Sequence, residues 1–135
     1  MNIKELFRWK VVCPDHTDTQ TIGKFGEKAA ACFLQERGYK ILVRNYVSEY
    51  GEIDLVCRHK DTLVFVEVKA RGESSSERPA RAVDEEKRKK IRKTARAYVD
   101  ELYVRDMPQR FDIVEVYLKQ GCAPRCELLT NVFGS

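Results

Sequence analysis

The feature that most constrains the fold of this chain is the segment from Gly51 to Arg71, which reads GEIDLVCRHKDTLVFVEVKAR. Two runs rich in β-branched and aromatic residues, Ile53 to Cys57 and Leu63 to Val68, flank a short polar stretch. This pattern predicts a β-hairpin. A turn of even length centred between Lys60 and Asp61 then fixes which residues of the two strands face each other.

Charged residues interrupt the hairpin at positions that predict a cation site. Alternate residues of a strand share a face, so Glu67 and Lys69 lie on one face and the neighbouring valines form the opposite face, which we expect to pack in the core. The register sets Asp54 opposite Glu67 and Glu52 opposite Lys69. Two carboxylates whose Cβ atoms are about 5 Å apart repel each other unless a cation or a shared proton relieves them.

A divalent metal is the simplest relief, and oxygen ligands favour a hard cation. Mg²⁺, or Mn²⁺ in its place, is often held by one or two carboxylates together with waters and phosphate oxygens, and Asp54 and Glu67 fit this description. Lys69 would place an ammonium where it can orient a nucleophilic water or offset charge on a phosphorane-like transition state. A cross-strand salt-bridge ladder of Glu52, Asp54, Lys69 and Arg71 on a solvated face is the open alternative.

The segment before the hairpin predicts a helix followed by a strand. Helical spacing of apolar residues begins at Ile22, and Gly38 is placed to end the helix. Glu27 lies near the edge of the apolar face, so its carboxylate either enters a cleft or stays in solvent, favoured by the positive end of the helix. The strand is expected from Tyr39 to Val47.

A second, longer helix is predicted from about Asp84 to about Tyr103. We select Lys87, Lys89, Lys90 and Lys93 as candidate nucleic-acid contacts, because the helix carries a basic run without an acidic residue. Lys87 is also in the apolar line of the helix, so it either follows the core edge or projects into the cleft. A solvated helix face is the alternative interpretation of the whole run. The basic residues of the run are Lys87, Arg88, Lys89, Lys90, Arg92, Lys93 and Arg96.

The remaining segments predict a loop and two further strands. Arg71 to Arg81 is rich in Gly, Ser, Pro and charge, which marks a loop that either borders the site or merely connects two elements. Strands are expected from Arg110 to Leu118 and from Cys126 to Thr130. Asp112 is expected to be structural and paired with Arg110, because buried aspartates on strands commonly pair with arginine or accept backbone hydrogen bonds.

Composition places few further limits on the protein. A chain of 135 residues with 43% hydrophobic and 34% charged residues indicates one globular domain. The 25 basic and 21 acidic residues give a net charge of +4, which alone says little about a polyanionic partner. Five scattered cysteines without a signal peptide indicate a reducing cytoplasm. No apolar run approaches the ~18 residues that span a bilayer, so no membrane association is expected.

Asp54 followed by Glu67-x-Lys69 on an apolar strand resembles the PD-(D/E)XK nuclease motif. Together with GKFGEKAAACFLQERGYKIL, RNY, GEID, VDEEKRKKI and RFDIVEV, it resembles the YraN-like family of small bacterial nuclease-like proteins, from Ile22 to Phe133. The resemblance implies an α/β fold with a restriction-endonuclease-like three-layer core, in which helices flank a central mixed β-sheet. Similarity to archaeal Holliday-junction resolvases implies Mg²⁺-dependent phosphodiester hydrolysis, with Glu27 as an additional acid near the metal.

We therefore interpret residues 22–135 as a nuclease-like domain and residues 1–21 as an appended arm outside the resemblance. The leading hypothesis is a metal-dependent endonuclease acting on DNA, with branched or structured DNA among its candidate substrates and a homodimer as a compatible assembly. A non-catalytic nucleic-acid-binding module that keeps the nuclease fold is the alternative. A domain whose charged helix docks on an acidic protein partner is a third hypothesis.

Overall fold

The computed structural model describes residues 19–72 and 85–133, in which a five-stranded sheet lies between two helices. In chain order the elements are α1 (Thr19–Glu36), β1 (Lys40–Ser48), β2 (Gly51–His59), β3 (Thr62–Gly72), α2 (Glu85–Leu102), β4 (Gln109–Leu118) and β5 (Arg125–Leu129). Each predicted helix and strand is present, with ends displaced by a few residues.

The first helix ends where the sequence predicts. Gly38 adopts a φ of 86°, a conformation that glycine reaches without steric cost, and its N–H donates to the carbonyl of Gln35. The N–H of Tyr39 donates to the carbonyl of Leu34 across this turn. The chain therefore leaves α1 sharply and enters β1.

The hairpin has the predicted register. His59 faces Thr62 and Leu55 faces Val66, so the turn consists of two residues, Lys60 and Asp61, and Lys60 has a φ of 56°. A positive φ at the first residue is what a two-residue hairpin turn requires, because it matches the twist of the flanking strands. The paired ladder ends at Leu55 and Val66, so the prediction of direct pairs between Asp54 and Glu67 and between Glu52 and Lys69 is wrong.

The five strands lie in the order β1-β2-β3-β4-β5. β3 and β4 are parallel, and the other neighbouring pairs are antiparallel, so the sheet is mixed. α2 lies in the connection between the two parallel strands, as such a crossover requires. Because α1 packs on one face of the sheet and α2 on the other, the predicted three-layer α/β fold is confirmed.

Both faces of the central strand β3 are core, whereas the sequence predicted a core position for the valine face. Val64 and Val66 pack beneath α1, whereas Leu63 and Phe65 pack beneath α2. The four residues from Leu63 to Val66 are consequently all buried. A strand that is covered on both faces has a continuous run of apolar residues in its sequence, not an alternation of apolar and polar residues.

The loop predicted to start at Arg71 starts later, because β3 continues to Gly72. Arg71 is buried, and its Nε lies 2.7 Å from Oε2 of Glu115 on β4. The proposed salt-bridge ladder on the hairpin is therefore wrong for Arg71, which pairs with the opposite neighbour strand. The rest of the predicted loop, the helix start at Asp84 and most of the N-terminal arm lie outside the described residues.

Asp112 has the structural role expected from the sequence. It is 1% exposed, and its Oδ1 accepts hydrogen bonds from Nε of Arg110 at 3.0 Å and from the N–H of Asn131 at 2.9 Å. The hydroxyl of Tyr39 donates to Oδ2 at 3.3 Å. This network fastens the start of β1 and the segment after β5 to β4, so the buried carboxylate is fully used in packing.

Two further sequence expectations can be compared with the described part of the chain. In that part of the chain the cysteines at positions 57, 122 and 126 carry free thiols. Neither α1 nor α2 is long and apolar enough to cross a membrane.

Candidate active site

A cavity of about 60 Å³ lies where the open end of the β2–β3 hairpin meets the first turn of α2. Apolar residues from several elements and a smaller set of charged residues line it together. The residues that matter for its chemistry are Glu52, Asp54, Glu67, Lys87, Phe111 and Phe133. The structure thus brings the two predicted metal ligands to one concave site.

Strand β2 is irregular at Asp54, and this irregularity directs the carboxylate toward β3. Ile53 packs in the layer beneath α2 and Leu55 in the layer beneath α1, although strict alternation would put both on one face. Asp54 Oδ2 accepts a hydrogen bond of 2.8 Å from the N–H of Val68. The side chain therefore turns across the end of the ladder toward β3 instead of lying in a regular cross-strand pair with Glu67.

Asn45 on β1 matches this irregularity, and sequence analysis missed it. The register places Asn45 between the partners of Ile53 and Leu55, opposite Asp54, and its φ is 53°. Asparagine tolerates positive φ better than most residues, so its identity in the RNY segment was the available signal. Its Nδ2 donates to Oε2 of Glu27 at 3.5 Å, which connects β1 to α1 at the site.

Glu27 does not line the cavity but lies close enough to act on Asp54, because α1 packs directly on the end of β3. A Cβ added at Gly26 would be 3.5 Å from the Cβ of Ala70, so glycine permits this close approach. Glu27 lies beyond the first turn of α1, which begins at Thr19, so stabilisation by the positive helix end does not explain it. Its carboxylate instead faces Asn45 and the carboxylate of Asp54.

The carboxylates repel each other where they gather around Asp54. The pKa of Asp54 is raised to about 6 from its ordinary value of 3.8, chiefly by burial and also by the negative charges of Glu27, Glu67 and Glu52, against the lowering effect of the Val68 N–H. Ionised Asp54 is thus destabilised in the folded protein. A bound cation would remove both causes, because it compensates the lost hydration and the like charges.

Lys87 and Lys69 occupy different positions relative to Glu67. The Nζ of Lys87 lies 2.5 Å from Oε1 of Glu67, so this lysine projects into the cavity rather than along the core edge. Lys69 is partly buried and engages no ion pair or hydrogen bond within residues 19–72 and 85–133. The alternative in which Lys69 pairs with Glu52 across the hairpin is therefore not realised there.

The donor set fits Mg²⁺ as a two-carboxylate site. Over the described ranges no three His, Cys, Asp or Glu side chains are grouped closely enough to form a complete ligand set. Mg²⁺ does not require one, since it commonly takes one or two carboxylates and completes its shell with water and substrate phosphate. Asp54 uses Oδ2 for the Val68 N–H, and its Oδ1 accepts no hydrogen bond from the residues described, which leaves a carboxylate oxygen for a cation.

The lysines selected on α2 lie outside the cavity, apart from Lys87. Lys89, Lys90 and Lys93 are exposed, and the Nζ of Lys93 lies 5.8 Å from the centre of the Tyr50 ring, beside the β1–β2 turn. These three residues form an outward basic face, which we call the lysine face. Its exposure is compatible both with phosphate binding and with simple solvation.

We expect replacement of Lys89, Lys90 and Lys93 by alanine to reduce the salt dependence of binding to duplex DNA. Each lost phosphate contact lowers the slope of log affinity against log salt concentration by up to about 0.9, because fewer counterions are released. Titrations at four or five salt concentrations measure the slope. An unchanged slope would show that the lysine face is only solvated.

The fold and the site together define an α/β protein with a restriction-endonuclease-like core. A comparison with family models matches residues 26–116 to the uncharacterised protein family UPF0102. The chain belongs to this family, the YraN-like group that the sequence resembles.

Three relatives illustrate how closely the family matches. A UPF0102 protein of Caldanaerobacter subterraneus subsp. tengcongensis is 46% identical over 99 residues, which cover 73% of this chain and 81% of the relative. One of Syntrophus aciditrophicus is 42% identical over 87% of this chain and 91% of its own. One of Desulforapulum autotrophicum is 44% identical, with shares of 84% and 93%. The similarity thus extends over most of each chain.

Proposed function

We propose that this protein is a metal-dependent nuclease that hydrolyses phosphodiester bonds in nucleic acid, with DNA as the substrate and Mg²⁺ or Mn²⁺ as the cofactor. The observation that carries the proposal is that Glu27 of α1 and Glu67 of β3 both act on the partly buried carboxyl group of Asp54 on β2, whose pKa is raised to about 6. Burial and neighbouring like charges shift pKa values in this way at many functional sites.

Asp54 and Glu67 would hold the cation, through Oδ1 of Asp54 and the carboxylate of Glu67. Mg²⁺ bound there supplies Lewis-acid stabilisation of the negative charge that develops on the phosphoryl oxygens. Because Lys87 contacts Glu67, its ammonium has to move aside or turn to the substrate phosphate when the carboxylate binds a cation. Much of the cavity lining is apolar.

Lys69 lies one strand period beyond Glu67 on the face that α2 covers, where it orients the attacking water and offsets charge in the transition state. Glu27 accepts a proton from that water through a hydrogen bond or a bridging water, and Asn45 holds its carboxylate in place. In the reaction the water oxygen forms a bond to phosphorus, and the bond between phosphorus and the leaving oxygen breaks.

We expect the purified protein to cut at least one member of a panel of branched, nicked, duplex and single-stranded DNAs in Mg²⁺ or Mn²⁺ but not in EDTA. Glu67→Ala should abolish cleavage, because half of the proposed ligand set is lost. Glu49→Ala is the matched control, since it removes an exposed carboxylate from the β1–β2 turn. Equal cleavage by wild type and Glu67→Ala would indicate a contaminating nuclease and contradict the proposal.

The ion pair between Lys87 and Glu67 favours a second candidate function, a nucleic-acid-binding module without catalysis. In that case Lys87 permanently neutralises the carboxylate that a nuclease would use for its metal. The same panel separates the two functions, because a binding module retains DNA affinity and gives no product with either metal.

A further inference from the structure

A second concavity adjoins the candidate active site on the other side of two phenylalanine rings. It is an open groove of about 730 Å³, which we call the arginine groove. Asp100 and the apolar Val99 also line it. Its other lining residues are Arg92, Arg96, Arg105, Gln109, Phe111 and Phe133.

Most arginines and most lysines of α2 lie on different, adjoining strips of the helix surface. Arg88, Arg92 and Arg96 follow at intervals of four residues, so they share one flank. The guanidinium carbons of Arg88 and Arg92 lie 5.4 and 5.7 Å from the centre of the Phe133 ring. Lys93 lies on the adjoining strip of the helix, beside the β1–β2 turn, and neither it nor Lys89 or Lys90 lines the groove, so the arginine groove and the lysine face are neighbouring but different surfaces.

The groove is continuous with the active-site cavity. Phe111 and Phe133 line both, and their rings stack with centroids 5.1 Å apart and an angle of 27° between the planes. A strand whose phosphate lies at Asp54 and Glu67 would therefore meet this aromatic pair and then the arginines.

Positive charge in the groove is available to a ligand. Arg96 is exposed and has no ion pair or hydrogen bond among the residues that the structure describes. Arg92 makes one long ion pair, 3.4 Å, with exposed Glu85. Arg105 pairs with Asp100 at 2.6 Å, and Asp100 is the one acidic residue among those that line the groove.

We propose that the arginine groove binds the phosphates of an unpaired nucleic-acid strand that leads into the active site. The statement that the strand leads into the active site rests on the proposed nuclease function. Guanidinium groups bind phosphate in a bidentate manner, and arginine planes beside aromatic rings suit unstacked bases. A duplex, whose bases are enclosed, cannot use these planes, whereas the outward lysine face needs only backbone phosphates.

The test compares two variants that lose the same charge from the same helix. Arg92→Ala with Arg96→Ala alters the groove, and Lys89→Ala with Lys93→Ala alters the lysine face. Binding of fluorescent single-stranded and duplex oligonucleotides is measured by anisotropy in EDTA. We expect the arginine pair to weaken single-strand binding on the order of tenfold per residue, as the loss of charge-assisted hydrogen bonds to phosphate implies. The lysine pair should change single-strand binding by less than about threefold, a residual electrostatic effect.

Asp100→Asn is a variant with the opposite expected sign, and it guards against misfolding as an explanation. Removal of this carboxylate frees Arg105 and should tighten single-strand binding. Equal weakening by the arginine and lysine pairs, or a loss confined to the duplex, would overturn the proposal. DNA and RNA oligonucleotides of the same sequence then show which nucleic acid binds more tightly. Arginine-dependent binding of either one supports the groove proposal.

Binding in EDTA requires neither the metal nor catalysis, so the two proposals fail separately. If binding depends on the arginines but no DNA is cleaved, the groove proposal stands and the nuclease proposal is wrong. If the Arg92→Ala, Arg96→Ala variant cleaves single-stranded DNA with an unchanged KM, the nuclease proposal stands and the groove proposal is wrong.

Discussion

Lys69→Ala should slow cleavage of the best substrate by roughly 10²- to 10³-fold, the usual loss for one preorganised electrostatic group. DNA affinity should change little, because Lys69 is partly buried near Glu67 and not on the exposed lysine face. Single-turnover cleavage at saturating enzyme measures the effect on the chemical step. Lys40→Ala is the matched control, since it removes an exposed strand lysine from β1.

Lys69→Arg gives this prediction a second independent readout. Arginine keeps the charge but changes donor geometry and hydration, so a residue that orients a water should not be rescued by it. Because the structure shows no ion pair for Lys69 among residues 19–72 and 85–133, neither substitution should lower the melting temperature much. Full-rate cleavage by Lys69→Ala would remove Lys69 from the catalytic role.

Asp54→Asn should stabilise the metal-free protein at pH 8. A pKa of about 6 in the folded protein, against 3.8 ordinarily, means that folding favours protonated Asp54. Its stabilising effect is present below pH 3.8 and is lost as the pH rises to about 6, so ionised Asp54 costs up to roughly 3 kcal/mol above that pH. Asparagine carries no charge and still offers an oxygen to the Val68 N–H.

Thermal melts of both proteins between pH 4 and pH 8 measure this effect. The advantage of Asp54→Asn should grow with pH and shrink when Mg²⁺ is added, because only the wild type gains stability from binding the cation. Asp61→Asn, at the exposed hairpin turn, should show no pH-dependent advantage. If Asp54→Asn has a lower melting temperature than wild type at pH 8, the carboxylate stabilises the metal-free fold. That result would contradict its assignment as a cation ligand that is destabilising without the cation.

The predicted site residues differ in how their positions were determined. The hairpin register follows from local rules, because strand alternation and a two-residue turn depend on residues close together in sequence. The relation of Glu67 to Lys69 and the helical spacing around Glu27 are local in the same way. Sequence therefore placed Glu67 and Lys69 on one strand face and Glu27 on the first helix.

What sequence alone could not supply depends on contacts between distant segments. The turn of Asp54 toward Val68 accompanies a break in strand alternation, opposite a positive φ at Asn45 on another strand. Whether Lys87 follows the core or enters the cavity depends on how α2 crosses the sheet, and the structure places it against Glu67.

The same crossing decides how the basic run of α2 divides into two surfaces. By itself the sequence determined a hairpin with a Glu-x-Lys pair, an α/β order of elements and a basic helix, because alternation and helical periodicity are properties of neighbouring residues. Only the tertiary structure brought Glu27 to Asp54 and set Arg92 and Arg96 beside the groove, because packing on opposite faces of one sheet decides which side chains meet.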